Sequence, residues 1–439
     1  MLESENRQKK LKQYFIHIGL FVATLFTTTY TGAYDWIGLQ TVSGWEKFSS
    51  GFQYSLPFLF ILACHEFGHF FMAKKYKVKT TLPYFIPMYL PFMSQIGTLG
   101  AVIRIKSIIP SKKEVFDIGV AGPLAGFIAA MAILYYGFTH LPDPDYIYNI
   151  HPDYKIFTDR GLNYADYVYN YQYARKMDSL MTIQHRIEDS IYTAQNQHTL
   201  WFRIQKFFYL AGYYDKLEYR PNESYIEIAM GKNLIFLFFE NFVVKDKSKI
   251  PNKYEMFHYP LLFAGYLALF FTALNLFPVG QLDGGHVIYG LFGAQKHRYI
   301  SSAFFTLFIL IGGIGIFKDN FAGINVFTSG IVNATLFCAA YLYFLYIIFE
   351  RTYHRNSFMV AVLVFAVQFF IEYFMPNIEG FNGWLIFGFL VGRILGTHHP
   401  PSPIEAPLDL KRKILGWLSL MIFALCFTPN VIIIETFSP

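Results

Sequence analysis

One short stretch of the chain, His65-Glu66-Phe67-Gly68-His69, has the pattern H-E-x-x-H. On a helix, two histidines at this spacing lie one turn apart on the same face, so both imidazoles can bind one metal ion. Glu66 follows the first histidine directly, where its carboxylate can take a proton from an attacking water. The residue types and their spacing therefore indicate metal-assisted hydrolysis, although a five-residue pattern with two open positions also occurs by chance.

The surroundings of this motif are apolar. Residues 52–72 read FQYSLPFLFILACHEFGHFFM, which is about the length that crosses a bilayer. Histidines and a glutamate are costly to bury at that depth, so polar groups in such a segment are functional by default. The membrane setting favours a true metal site over a chance match.

A further candidate ligand follows a later apolar segment, residues 260–278. Asp283 can supply a carboxylate oxygen, and the two glycines after it would let the backbone turn toward the other ligands. Two histidines, one carboxylate and an open position are typical of a catalytic zinc site rather than a closed structural one. An aspartate at a helix end is more often a cap, but two buried imidazoles need a third partner. We therefore predict His65, His69 and Asp283 as ligands of Zn²⁺.

Asn275 stands close to the same aspartate in sequence. Its side-chain amide could donate a hydrogen bond to the substrate backbone or to the oxygen that becomes negative in the transition state. An equally good alternative is that it bridges the backbone beside Pro278. Asn275 is therefore a candidate catalytic residue, together with the base Glu66.

The composition indicates a protein that crosses a membrane several times. Of the 439 residues, 54% are hydrophobic, 20% are aromatic and 15% are charged, whereas soluble domains carry about 25% charged residues. The three cysteines, Cys64, Cys338 and Cys426, all lie in apolar segments. They provide neither a disulfide framework nor a cysteine-based metal site, and the sequence shows no phosphate-binding glycine loop or nucleic-acid signature.

The apolar runs predict an all-α polytopic membrane protein with about nine transmembrane helices. The predicted spans are residues 14–34, 52–72, 115–138, 260–278, 299–317, 327–349, 357–375, 381–396 and 414–434. Basic residues at the N-terminus and directly after the second span indicate the cytoplasmic side. The first span lacks a small-residue cleavage site and is interpreted as retained. We expect an integral protein of a bacterial inner membrane, with its N-terminus in the cytoplasm and its C-terminus outside.

The segment between the second and third spans, residues 80–106, is interrupted by prolines and glycines and is unsuited to a span. Its last part, residues 101–106, has strand character. We predict a re-entrant β-hairpin-like loop that approaches the metal site, with an ordinary cytoplasmic loop as the alternative. An open strand edge there could pair with an unwound substrate segment.

Residues 139–257 differ from the rest of the chain. They contain no long apolar run, and 14 Lys and Arg stand against 15 Asp and Glu. This near-neutral segment is predicted to be a mostly helical extramembrane insert on the non-cytoplasmic side. The expected division is an N-terminal span and loop at 1–51, a catalytic core at 52–138 and 258–290, the insert at 139–257, and C-terminal spans at 291–439.

Two adjacent histidines, His398 and His399, stand before a pair of prolines. A pair of imidazoles could hold a second metal ion. Histidines in a loop are more often solvated, however, and solvation is the favoured interpretation.

Three motifs occur together in an order and spacing that resemble the site-2 protease family of intramembrane zinc metalloproteases. They are His65-Glu66-x-x-His69, Gly122-Pro123-Leu124-Ala125-Gly126, and Asn275-x-x-Pro278-x-x-x-Leu282-Asp283-Gly284. They cover the core from about residue 52 to 290. Three further segments are similar to the plant-chloroplast and cyanobacterial branch of the family: Gly100-Ala101-Val102, Ile105-Lys106-Ser107 and His399-Pro400-Pro401.

The resemblance implies zinc bound by the two histidines and Asp283, with Glu66 as base, and regulated cleavage of a substrate transmembrane helix within the bilayer. The implied partners are a membrane-protein substrate and the lipid bilayer, with no nucleic acid. Some members carry a PDZ domain where this chain has its insert, but no PDZ-like strand pattern occurs here. Packing of the Gly122 helix against the metal helix is a better expectation than a chemical role.

Two other functions remain open. A zinc enzyme of another membrane family would use a glutamate from a later helix as third ligand, which the aspartate motif disfavours. A metal carrier, or a membrane chaperone with an inactive site, would need the ligands but no base. The intact Glu66 therefore favours an enzyme.

Overall fold

Helices make up most of the chain in the computed structural model, which describes residues 2–89, 95–196, 225–321, 330–378 and 380–437. The first part contains α1 (Leu2–Thr31), α2 (Gly44–Ser50), α3 (Phe52–Lys75), β1 (Tyr84–Pro87), β2 (Thr98–Val102) and α4 (Lys112–Thr139). A π-helical segment, Gly32–Ile37, continues directly from α1.

The remaining long elements are α5 (Tyr171–Asn196), β3 (Tyr225–Met230), α6 (Pro260–Asn275), α7 (Asp283–Gly312), α8 (Gly330–Tyr353), α9 (Ser357–Phe374), α10 (Gly383–Phe389), α11 (Leu410–Cys426) and β4 (Ile432–Phe437). Short α-helical segments lie at Lys155–Thr158, Ala165–Val168, Leu234–Phe238 and Ile316–Phe321. The helix α7 is broken at Gly293, whose φ of 77° is accessible to glycine at little cost.

The helices α3, α4 and α6 form the centre of the fold. All three contribute to one buried apolar cluster, which includes Tyr54, Phe58, Leu134 and Phe263. At Gly68 of α3, a β-carbon would stand 2.5 Å from the backbone oxygen of Ala121 on α4. Small residues allow this close approach of two helices, and the approach sets the distance between the metal motif and α4.

Five helical segments among the described residues are long and apolar enough to cross a bilayer. They are Leu11–Ile37, Gly44–Lys75, Lys112–Thr139, Asp283–Lys318 and Val332–Phe374. The apolar helix α6 has only 16 residues, and Val332–Phe374 holds two predicted spans as the neighbouring helices α8 and α9. An apolar, mostly helical membrane protein is confirmed, whereas the predicted count of about nine spans is not.

The last predicted span, residues 414–434, does not continue as one helix. The helix α11 ends at Cys426, and the chain becomes the strand β4 at Ile432. Pro429 lacks the N–H that a helix needs, and the β-branched residues that follow favour extended backbone. An apolar run therefore does not distinguish a span from a shorter helix followed by a strand.

The predicted hairpin between α3 and α4 is present. The strands β1 and β2 pair antiparallel, with Tyr84 opposite Val102 and Ile86 opposite Gly100. The regular strand is residues 98–102, earlier than the predicted 101–106, and an isolated bridge joins Thr80 to Ile105. Its re-entrant position in a membrane stays a prediction.

Hydrogen bonds from α1 and α3 hold this hairpin in place. Thr27 donates to the backbone oxygen of Gly97 over 2.7 Å, and Tyr54 donates to that of Ile96 over 3.0 Å. The indole of Trp36 donates to the oxygen of residue 95 over 2.7 Å. These contacts fix the hairpin beside the helix that carries the H-E-x-x-H motif.

The described part of the insert is largely helical, as predicted, apart from β3; residues 197–224 lie outside the described residues. The strand β3 pairs antiparallel with β4 from the other end of the sequence, with Ile228 opposite Ile434. The apolar segment 234–243 packs its buried face on α4, where the rings of Phe236 and Phe239 lie 5.0 and 5.5 Å from that of Phe138. The insert and β4 therefore share one side of the molecule.

An ion-pair cluster joins the end of α3 to the starts of α4 and α11. The guanidinium of Arg412, at the start of α11, lies 2.7 and 2.8 Å from the carboxylate oxygens of Asp117 near the start of α4. Tyr76, just after α3, donates to the same carboxylate. The basic residues 411–413 are thus brought next to the basic segment 74–79 that follows the second span.

Candidate metal centre

The two histidines of the motif are neighbours on α3. Their Nε2 atoms lie 3.1 Å apart, and each side chain is almost fully buried, with the residues 7% exposed. This is the geometry that a four-residue spacing on a helix predicts. Both imidazoles direct the same nitrogen toward one point.

Asp283, the first residue of α7, completes the group. Its Oδ2 lies 3.4 Å from Nε2 of His65 and 3.2 Å from Nε2 of His69. Ligand atoms bound to tetrahedral zinc at about 2.0–2.1 Å stand about 3.3–3.4 Å apart. The three atoms therefore fit one zinc ion, with a fourth position left for another ligand.

Tight packing of the backbone before α7 brings Asp283 to the histidines. A β-carbon at Gly284 would stand 2.0 Å from the oxygen of Leu276, and one at Gly285 would stand 2.2 Å from that of Gly280. The turn itself is made by Gly280, whose φ is 64°. The sequence predicted that Gly284 and Gly285 make this turn. Instead, the absence of their side chains lets the start of α7 pack directly against the backbone of residues 276 and 280.

The helix α4 orients both imidazoles. Nδ1 of His69 lies 2.7 Å from the backbone oxygen of Ile118; because a carbonyl only accepts, Nδ1 carries the proton and Nε2 is free to bind a metal. A β-carbon at Gly126 would stand 3.1 Å from Cβ of His65. The glycine motif of α4 thus acts by packing, as expected, and it packs against the ligand side chains.

Glu66 lies beside the ligand triangle. Its Oε1 is 4.0 Å from Nε2 of His65, the residue is 8% exposed, and the backbone of Ile103 faces its carboxylate. This position is farther from the imidazole nitrogens than that of Asp283, which suits a proton acceptor better than a third ligand.

Asn275, the last residue of α6, directs its amide into the same site. Its Nδ2 lies 3.4 Å from Nε2 of His65. A donor at this place could reach an oxygen that reacts next to the metal ligands. The catalytic role of Asn275 stays a prediction.

All five predicted site residues line one cavity of about 310 Å³. The backbone segment after β2 forms part of its wall, with Ala101, Val102 and Ile103, and Gln281 and Leu282 add to the wall next to Asp283. The hairpin and the metal centre therefore face a common space, which is large enough for a short stretch of extended peptide.

One histidine of this cavity was missed by the sequence reasoning. His286 lies one turn after Asp283 on α7 and lines the cavity, and its Nδ1 is 2.8 Å from Nε2 of His399. Nδ1 of His399 lies 2.6 Å from the backbone oxygen of Pro400, so that nitrogen carries a proton and Nε2 of His399 accepts. His286 therefore donates through Nδ1, and its Nε2 carries the lone pair. The spacing from Asp283 is the signal that could have identified it.

The histidine pair 398–399 belongs to no group of three or more candidate metal ligands among the described residues. Among the described residues, groups of three or more suitable ligands occur in two places, and neither contains His398 or His399. His398 instead faces Ser302, with Nε2 3.4 Å from the hydroxyl oxygen. The pair is also not simply solvated, because His399 supports His286.

Comparison with known proteins agrees with this geometry. The model of Peptidase family M50 matches residues 53–317, more than half of the chain, and it includes every predicted site residue. No solved structure matches.

Several relatives are plant proteins. Over 142 residues the chain is 36% identical to "Probable zinc metalloprotease EGY1, chloroplastic" of Oryza sativa subsp. japonica, covering 28% of this chain and 24% of the relative. Over 99 residues it is 31% identical to "Probable zinc metalloprotease EGY2, chloroplastic" of Arabidopsis thaliana, covering 23% and 17%. A longer match, 22% identical over 258 residues, is to "Probable zinc metallopeptidase EGY3, chloroplastic" of Arabidopsis thaliana, with 58% and 32% covered.

The chain thus spans less than a third of the length of each of these relatives. The matches confirm the similarity to the chloroplast branch, and the names of these relatives contain zinc, the cofactor that the sequence predicts. With the family model covering most of the catalytic core, the chain belongs to peptidase family M50, the site-2 protease family.

Proposed function

We propose that this chain is an intramembrane zinc endopeptidase that hydrolyses peptide bonds in or near transmembrane segments of membrane proteins. The observation that carries the proposal is the position of Glu66, a buried carboxylate beside a complete ligand triangle. The segment that holds it, Gly44–Lys75, is long and apolar enough to span a bilayer. A protein that only bound or carried zinc would need the triangle but not this carboxylate.

The metal and the protein side chains contribute different parts of the reaction. When bound, zinc supplies a Lewis acid that polarises a carbonyl group and makes water more acidic. Glu66 takes the proton of the attacking water and later delivers one to the leaving amine. Asn275 donates a hydrogen bond toward the reacting oxygen, where fixed donors act strongly in a site of low polarity.

The substrate reaches the site in an extended form. The carbonyls of a transmembrane helix are hydrogen-bonded within the helix, so the helix has to unwind before a peptide bond can be attacked. The strand β2 has one partner among the described residues, β1, and the segment that follows it lines the cavity. An unwound segment that pairs with β2 would lie directly over the metal ligands.

We infer that the insert screens substrates on the side of the membrane opposite the basic segments 74–79 and 411–413. Its near-neutral charge and its pairing with β4 support a location away from Arg412 and Asp117. The N-terminus, with its basic residues, then shares the side of these basic segments. The predicted bacterial inner membrane has no support from the relatives, whose names place them in chloroplasts.

A comparison of membrane proteomes tests the proposal. Cells that express the wild-type chain are compared with cells that express Glu66→Gln, and with Glu46→Gln as a matched control at an exposed glutamate of α2. We expect peptides that end inside transmembrane segments in the wild type and in the control, and their loss in Glu66→Gln. If zinc stays bound and all three proteomes are the same, the chain is a zinc-binding membrane protein without proteolytic activity.

A further inference from the structure

A second set of metal-binding side chains lies where the insert begins and ends. Its members are His151, Glu255 and His258, which form a near-equilateral triangle of side-chain atoms. Nε2 of His151 lies 3.4 Å from Nε2 of His258 and 3.5 Å from Oε2 of Glu255. Nε2 of His258 lies 3.4 Å from the same carboxylate oxygen.

We propose that these three residues bind a second zinc ion, separate from the catalytic one. Ligand atoms of tetrahedral zinc stand about 3.3–3.4 Å apart when each bond is about 2.0–2.1 Å. Direct hydrogen bonds between such groups are usually shorter, about 2.7–3.2 Å between heavy atoms. Imidazole and carboxylate are also ligands that zinc accepts readily.

Neighbouring groups fix the orientation of two of the ligands. Nδ1 of His258 lies 2.5 Å from the backbone oxygen of Trp36, and because a carbonyl only accepts, Nδ1 carries the proton. Nε2 of His258 then presents a lone pair to the centre of the triangle. The hydroxyl of Tyr169 donates to Oε1 of Glu255, which leaves Oε2 for the metal. Partners of this kind typically surround metal ligands in proteins.

The charges around the triangle also favour a cation. Glu255 is 2% exposed, and a carboxylate buried to that extent needs a positive partner. Among the described residues, its ion-pair partners are the same two histidines. The side chains of His151 and His258 are 29% and 21% exposed, so a metal ion and a water molecule as fourth ligand can enter from that side.

The proposed site is remote from the catalytic one. The helix α6 starts just after His258 and ends at Asn275 in the catalytic cavity, and its 16 residues put its ends roughly 24 Å apart. His151 and His258 are 107 residues apart in sequence. A metal there would tie the two ends of the insert to each other and, through Trp36, to the end of the first helix. Because the metal would close a long loop, it would reduce the conformational entropy of the insert.

Zinc content of purified variants tests the proposal. We expect two zinc ions per wild-type chain, one in His151→Ala, one in the double variant His65→Ala, His69→Ala, and none in the triple variant. His140→Ala, at an exposed histidine of the same insert, is the matched control and should keep two. A wild-type content of one, together with no zinc in the double variant, would overturn the proposal.

A second measurement leaves the proposed ligands intact. X-ray absorption of the double variant His65→Ala, His69→Ala should show zinc with two imidazoles and oxygen ligands at about 2.0–2.2 Å. In the same variant, chelation should make the insert sensitive to limited proteolysis, and added zinc should reverse the effect. Absence of zinc from this variant, or a zinc affinity that is unchanged by adding Glu255→Gln, would contradict the assignment. Because the catalytic ligands are absent, neither result depends on proteolytic activity.

Discussion

Gly122 of α4 lies against the imidazole of His69 so closely that a β-carbon at this position would stand 2.1 Å from Nε2. On the same helix, the backbone oxygen of Ile118 accepts a hydrogen bond from Nδ1–H of His69. One face of α4 therefore sets both the position and the tautomer of a metal ligand. The requirement for glycine at residue 122 comes from the ligand ring and not from helix packing alone.

Replacing Gly122 by alanine should displace the His69 ring. We expect Gly122→Ala to lower zinc affinity about 10–100-fold, the range seen when supporting groups of a metal site are changed. Zinc affinity by competition with a chelator is the measurement. Gly19→Ala on α1, where a β-carbon would meet nothing within 4 Å, should bind zinc as the wild type does. Wild-type affinity in Gly122→Ala would show that the ring has room to move.

Glu66→Gln should separate zinc binding from catalysis. The amide keeps the size of the side chain but cannot take a proton from water, so cleavage should fall by roughly 100- to 10,000-fold. The zinc content should stay that of the wild type because Glu66 lies outside the ligand triangle. Cleavage of a reconstituted transmembrane substrate and elemental analysis check the two parts. Turnover near the wild-type rate would remove Glu66 from the role of base.

Asp283→Asn should weaken both zinc binding and activity. The variant keeps the shape of the side chain but removes the negative charge that faces the metal, and the loss should exceed the roughly 100-fold that supporting groups can cause. Zinc affinity and cleavage are measured beside Asp145→Asn, a matched change at an exposed aspartate of the insert. Full zinc affinity in Asp283→Asn would mean that the carboxylate is not a ligand.

The attachment of β4 to residues 253 and 254 should weaken in acid. Lys253 and Tyr254 both donate to the carboxylate of Glu435 on β4, and these bonds lower the pKa of Glu435 below its ordinary value of 4.5. A carboxyl group with a lowered pKa in the folded state stabilises that state above its ordinary pKa, and the contribution is lost as the pH falls through the lowered value. The protection factors of the β4 amides against hydrogen exchange should therefore fall below about pH 4.

Glu435→Gln is the control for this effect. Its β4 amides should have lower protection factors than those of the wild type near pH 7, and these factors should change little on acidification. An identical pH dependence in both proteins would assign the effect to another group.

The proposed topology predicts that the insert and the end of α3 lie on opposite sides of the membrane. Ser179→Cys in α5 and Lys75→Cys at the end of α3 provide one site on each side. An impermeant thiol reagent added to sealed vesicles should label one variant, and after inversion of the vesicles the other. Labelling of both variants from one side would refute the topology.

Short-range features of the site could be predicted from the sequence. The spacing of His65 and His69 fixes their relative position once the segment is helical, and Glu66 follows from the same pattern. Asp283 required a long-range inference, which its position in an acidic and glycine-rich motif made possible. Side-chain contacts confirm that these residues share one cavity.

Features that depend on pairing across the chain were not predictable. His286 meets His399 over a separation of 113 residues, and nothing local indicates that two histidines so far apart will touch. The triangle of His151, Glu255 and His258 is likewise assembled from two ends of the insert. Apolar runs also did not show that the predicted span 414–434 is the helix α11 followed by the strand β4, since both read as continuous hydrophobic sequence.

The pairing of β3 with β4 has a consequence for the order of events during synthesis. The partner of β3 is made about 200 residues later, after several membrane helices, and contacts between distant segments form slowly. Until β4 leaves the ribosome, β3 offers an open strand edge that other chains could bind. The strand β3 therefore stays unpaired until β4 has been made, and an exchange of the insert between relatives would have to include β4.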